Sequence, residues 1–269
     1  MPERDHSKPR PARPSAQPPG YLAISQRPLH ILVFLAPALL AYELGATLYL
    51  TGEDGQPKTI AAWGMLARIF EAFGVVGLHL PAILLVTVLI IWHMLQRDRW
   101  TLHFPVLGGM AMEAFVWTIP LTILAMLLAG DQGGAPAAAR VQTDADALLS
   151  LPWQARLTIS AGAGLYEELL FRMIVIAAAH AVLVDVVRLP EWLGGLLAVV
   201  ISAGAFAIYH RVPLGGSAEA AGVFAFYFGA GLYFGTLYLL RGFGIVVAVH
   251  MLYDILALVV IAPGSPSTA

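Results

Sequence analysis

The chain has 269 residues and no cysteine. Disulfides, thiol catalysis and cysteine-ligated metals are therefore excluded, and any metal would have to be held by histidine and carboxylates. Charge is scarce as well. Only 12% of residues are Asp, Glu, Lys or Arg, against roughly 25% in soluble domains. The net charge is -2 and the basic residues are scattered, which leaves no footprint for nucleic acid or another polyanion. What fills the chain is apolar: 59% hydrophobic residues and a mean hydropathy of +0.77. This is the composition of a polytopic membrane protein.

Residues 1–29 are rich in Pro, Arg and Ser, lack hydrophobic periodicity and read as a disordered tail. The apolar run Ile31 to Leu50 is longer than a signal-peptide core and has no small-residue cleavage pattern, so it reads as a first transmembrane helix. About 20 apolar residues cross roughly 30 Å of hydrocarbon. By that measure seven spans are expected, near 30–50, 76–96, 106–129, 157–183, 191–211, 221–240 and 243–263. The expected fold is an all-α transmembrane bundle with an N-terminal region 30–129, a loop 130–156 and a four-helix core 157–263. The segment 59–74 is too short to cross and carries Arg68 and Glu71 at helical spacing, as an interfacial or re-entrant helix does. The excess of Arg and Lys on one set of loops favours a cytoplasmic N-terminus, with a bacterial plasma membrane as the expected location.

Glu167 and Glu168 stand side by side in the apolar run LTISAGAGLYEELLFRMIVIAAAHAVLV, with Arg172 one turn after Glu168. An ionisable side chain at bilayer depth costs roughly 2.5–3.5 kcal/mol on insertion scales, so three in one span need a reason. Residues four apart share a helix face, which pairs Glu168 with Arg172 and leaves Glu167, about 100° around, pointing elsewhere. The same spacing puts Phe206 with His210 in FAIYH and His250 with Asp254 in HMLYD. Three helices can thus aim Glu167, His210, His250 and Asp254 at one interior point. Taken singly, the pieces say less: a membrane Glu-Arg pair is often a structural clamp. His30, His93 and His103 flank spans beside polar residues and read as interfacial, as do His180 and Asp185. Glu43 and Glu113 lie inside spans without an evident partner and read as structural or cavity-lining. Gly231 and Gly235 form a GxxxG step suited to close helix packing.

The order EExxxR, FxxxH, HxxxD on separate apolar spans resembles the CPBP family of intramembrane endopeptidases, the CAAX prenyl proteases and bacteriocin-processing proteins also called Abi, over roughly residues 157–260. The first motif falls on Glu167, Glu168 and Arg172, the second on Phe206 and His210, the last on His250 with Asp254. The resemblance implies a helical membrane protease whose glutamate sits in a cavity between helices. In that reading Glu167 is the general base, held with His210 around the attacking water, and an apolar cavity strengthens a carboxylate in that role. His250 donates to the oxyanion, an effect commonly worth about 3–4 kcal/mol. Glu168 and Arg172 hold the helix. Asp254 departs from the Asn typical of the prenyl proteases; it either stands protonated or orients His250 by accepting its other N–H.

No cofactor is expected. The alternative is zinc on Glu167, His210, His250 and Asp254, a sound ligand set in a family that has long carried a metalloprotease label. The implied partner is a membrane-associated protein or peptide in a lipid bilayer, and prenylated substrates are implied only by the relatives. A transporter would also place Glu, Arg and His at mid-depth, but no inverted repeat is visible. A non-catalytic membrane partner is the third reading. There is no HExxH or GxGD, and Ser217 lies in a short polar loop. The span limits put Glu167 about 15 Å from the outer side, His210 near that side and His250 about 10 Å from the inner one, at 1.5 Å per residue.

Overall fold

The computed structural model describes residues 20–50, 61–72, 74, 77, 79–129, 148–210 and 218–261. The tail as far as residue 19, most of the expected 130–156 loop, Ser217, and the basic residues Lys58, Arg140 and Arg211 lie outside the described residues.

Among the described residues the regular structure is helical: α1 (Tyr21–Ser25), α2 (Pro28–Tyr49), α3 (Ala61–Ala72), α4 (Leu80–Gln96), α5 (Phe104–Ala129), α6 (Trp153–Val186), α7 (Glu191–Tyr209), α8 (Ala218–Arg241) and α9 (Phe243–Ile261). Six of these, α2 and α5 to α9, are long and apolar enough to cross a membrane. The expected second span is shorter than the sequence reading had it. Helix α4 has 17 residues, about 26 Å at 1.5 Å per residue. The chain is an integral membrane protein built as a polytopic helical bundle. Its outer faces carry exposed Leu44, Phe115, Leu127 and Leu196, while helical geometry satisfies the backbone internally, as hydrocarbon requires.

Helix α3, with 12 residues, is about 18 Å long and too short to cross. It buries Ala62 and Leu66, one turn apart, and exposes Arg68 and Glu71, as the pattern anticipated. The tail does not run on to residue 29, because the chain is helical from Tyr21, with Ile24 and Ser25 buried. The Gln26 side chain donates to the Leu240 carbonyl at 3.1 Å.

Lipid tails are as apolar as leucine, so close packing and polar contacts bind these helices to one another. Glu113 and Glu43, expected to lack partners, both have them. Arg241 donates from Nη2 to Glu113 Oε2 at 2.7 Å and from Nε to Oε1. Tyr21 donates to Oε2 at 2.6 Å and Trp117 to Oε1 at 3.1 Å, which staples α1, α5 and α8. Glu43 Oε1 accepts from the Tyr166 hydroxyl at 2.9 Å, and Oε2 meets His79 Nδ1. His30 and His93, near the ends of α2 and α4, are buried against neighbouring side chains. His30 Nε2 accepts the His103 backbone N–H at 3.2 Å, and His93 packs edge-on against Trp100.

Helices α7 and α8 pack closely along the small residues. A Cβ added at Gly231 would stand 2.8 Å from Ala203 Cα, so backbone meets backbone there. Gly231→Val is therefore expected to lower unfolding stability by about 1–3 kcal/mol through overpacking, read as an earlier midpoint in a denaturing-detergent titration. An unchanged midpoint would contradict this contact. Gly242 reverses the chain between α8 and α9 at φ 82°, a conformation that only glycine adopts at little cost.

Candidate active site

The motif residues meet because of hairpin register. Glu167 lies 19 residues before Val186, where α6 ends, and His210 lies 19 after Glu191, where α7 begins. Antiparallel neighbours joined by a short turn bring such positions to one level. In the second hairpin, Phe234 lies seven residues before Arg241 and His250 seven after Phe243, and their rings stack at 4.7 Å. The depth bookkeeping from sequence put the three residues on different levels because it ended every helix at a membrane face. Helix α6 spans 34 residues, about 50 Å at 1.5 Å per residue, and overruns the bilayer.

Helix α6 is also not α-helical throughout. It winds as a π-helix over Ala163–Glu167 and again over Leu169–Val175, a geometry that recurs at functional sites. The slower winding narrows the angle between neighbouring side chains. Both carboxylates consequently reach the same ring, where the α-helical reading sent Glu167 elsewhere. Glu168 Oε1 is 2.7 Å from His250 Nδ1, and Glu167 Oε2 is 3.8 Å from His250 Nε2. The same Oε2 is 3.7 Å from His210 Nε2. All four groups named from sequence converge, since Asp254 Oδ2 stands 3.6 Å from His250 Nε2.

The tautomers follow from the acceptors. Carboxylates and carbonyls only accept, so His250 carries a proton on Nδ1 toward Glu168, and His210 carries one on Nδ1 toward the Phe206 carbonyl at 2.8 Å. Each ring turns Nε2 toward Glu167. The orienting partner of His250 is thus Glu168; Asp254, assigned that role as one option from sequence, lies on the Nε2 side instead. Glu167 Oε2 is buried and has no hydrogen-bond partner.

Glu168 and Arg172 form the expected pair, with Nε 3.1 Å from Oε2 and neither side chain exposed. The pair is held by charge and not by an aligned hydrogen bond. Phe206 forms the wall between this pair and the histidines: the guanidinium sits 4.4 Å from its ring centre and 5.1 Å from that of Phe234. His210 packs 4.5 Å from Phe206 on one side and stacks 3.9 Å from Tyr227 on the other. Ser202 donates to the Phe171 carbonyl at 2.8 Å, tying α7 to the π-helical stretch.

Three further residues belong to the site without a motif to mark them. Tyr227 stacks on His210 and Phe234 on His250, and so they fix the planes of the two imidazoles. Tyr209 donates to Glu167 Oε1 at 3.3 Å. Its place in FAIYH, one residue before His210, was the only available signal.

An apolar helical bundle with a buried Glu-His-His cluster between its helices defines the class as a polytopic membrane protein with ionisable groups gathered in its interior. Residues 149–256 match the family described as Type II CAAX prenyl endopeptidase Rce1-like, the family that the three motifs resemble and one of membrane endopeptidases. No curated protein and no solved structure matches the chain.

Proposed function

We propose that the chain hydrolyses a peptide bond of a membrane-associated protein or peptide with a water activated by Glu167. The observation that supports this most is the placement of Glu167 Oε2, buried, without a hydrogen-bond partner and facing Nε2 of His210 and of His250 at 3.7 and 3.8 Å. Those separations are too long for direct hydrogen bonds and suit one bridging water. The water gives a proton to Glu167 and its oxygen bonds to the peptide carbonyl carbon. His250, as imidazolium, donates Nε2–H to the resulting oxyanion. The C–N bond then breaks as the amine takes the proton back from Glu167. His210, with its proton held on Nδ1, offers the Nε2 lone pair to the water.

We assign the step to Glu167 without a metal; in the alternative, Glu167, His210, His250 and Asp254, whose donor atoms stand 3.6 to 3.8 Å apart, would hold zinc, which would supply Lewis acidity to the water. We place the chain in a bacterial plasma membrane with its N-terminus inside, on the excess of basic residues at that side.

The test is cleavage of a membrane-anchored peptide by the purified full chain in liposomes, before and after exhaustive chelation. Activity is expected to stay within about twofold on chelation and to vanish in His250→Ala. Loss on chelation with recovery in zinc would transfer the step to the metal. Equal cleavage by wild type and His250→Ala would refute the assigned oxyanion role.

A further inference from the structure

We propose that Tyr209 is a positioning residue for Glu167, and that the short helix α3 sets its direction through one backbone N–H. This rests on the reading of Glu167 as base. The Tyr209 hydroxyl accepts the Ala62 N–H at 2.7 Å and lies 3.3 Å from Glu167 Oε1. A phenol has a single proton. With Ala62 as donor to the oxygen, that proton goes to the carboxylate.

Ala62 stands in the first turn of α3, where backbone N–H groups have no partner within the helix. Tyr209 satisfies one of them, and Ala62 and Leu66 are buried on the docking face. The ring is held edge-on by Phe171 at 5.2 Å and by His210 at 4.9 Å. The two oxygens of Glu167 are thereby divided. Oε1 is tied to Tyr209, and Oε2 is presented to both Nε2 atoms. Without that tie the carboxylate is free to rotate, and the oxygen facing the histidines is no longer defined. Helix α3 does not cross the membrane, so seating or lifting it makes or breaks the tie without moving a spanning helix. Tyr209 lies outside the EExxxR, FxxxH and HxxxD positions.

The experiment compares wild type, Tyr209→Phe, Leu66→Ala and the double variant in the liposome cleavage assay, with Glu167→Gln alongside. Tyr209→Phe keeps the ring and removes the hydrogen bond. It is expected to lower kcat about tenfold with KM within twofold, the low end for a bond to a charged group. Leu66→Ala, which loosens α3, is expected to lower kcat severalfold in wild type and to have no further effect in Tyr209→Phe. Independently of activity, hydrogen exchange at the Ala62 amide should rise at least tenfold in Tyr209→Phe. An unchanged kcat in Tyr209→Phe, additive effects in the double variant, or unaltered Ala62 exchange each overturns the proposal. If Glu167→Gln is fully active, the base assignment itself fails. If only Glu167→Gln is inactive, the base stands and the role of Tyr209 falls.

Discussion

Glu167→Gln is expected to lower kcat for membrane-peptide hydrolysis by about 10²–10⁴-fold, the usual contribution of a positioned general base. The substitution is nearly isosteric. Its amide still offers an oxygen to the Tyr209 hydroxyl, which now reaches Oε1 at 3.3 Å, so the packing around it has no reason to change. What disappears is the group proposed to take the proton of the attacking water. Substrate affinity should be retained, and the variant should hold uncleaved peptide that mass spectrometry of the purified complex can identify. That trap would also report the substrate class, which the site residues do not specify. Cleavage above about a tenth of the wild-type rate would remove Glu167 from the role of base.

Arg172→Ala carries the largest expected effect on stability. Arg172 and Glu168 have no exposed side-chain surface, and each is the other's counter-charge. Removing one member of a buried pair leaves an unpaired charge and costs about 3–5 kcal/mol. The guanidinium also lies against the faces of Phe206 and Phe234, so truncation opens a space beneath both imidazoles. Glu168 is then pulled between two demands, its own neutralisation and the Nδ1–H of His250. We expect an early unfolding midpoint in mild detergent together with loss of cleavage. The double variant Glu168→Gln, Arg172→Met removes both charges and should unfold later than Arg172→Ala. An Arg172→Ala protein with wild-type stability would show that the pair is not the clamp described.

Much of this was legible because the residues concerned obey local rules. The i, i+4 spacing of Glu168 and Arg172 follows from helix pitch alone. So does the half-buried character of α3, read from Arg68 and Glu71. The GxxxG step at Gly231 announced the close crossing that it makes with Ala203. Other features depend on partners far away in the chain. Glu113 looked unpaired because Arg241 is 128 residues distant, and Glu43 because Tyr166 is 123 residues distant. No periodicity reveals such pairs. The two options for Asp254 stayed open in the sequence because it places Asp254 one turn from His250 without saying which ring nitrogen it faces; Oδ2 stands on the Nε2 side.

Composition and spacing by themselves determined that this chain lives in a bilayer and that its costly polar residues sit on three particular helices, since hydrocarbon tolerates ionisable groups only where they are compensated. Tertiary structure decided how they meet. Hairpin register set the common level, π-helical winding turned both carboxylates onto one imidazole, and a short helix outside the spans supplied the N–H that directs Tyr209. Each of these depends on the relative placement of whole helices, which is a property of packing and not of any local stretch of chain.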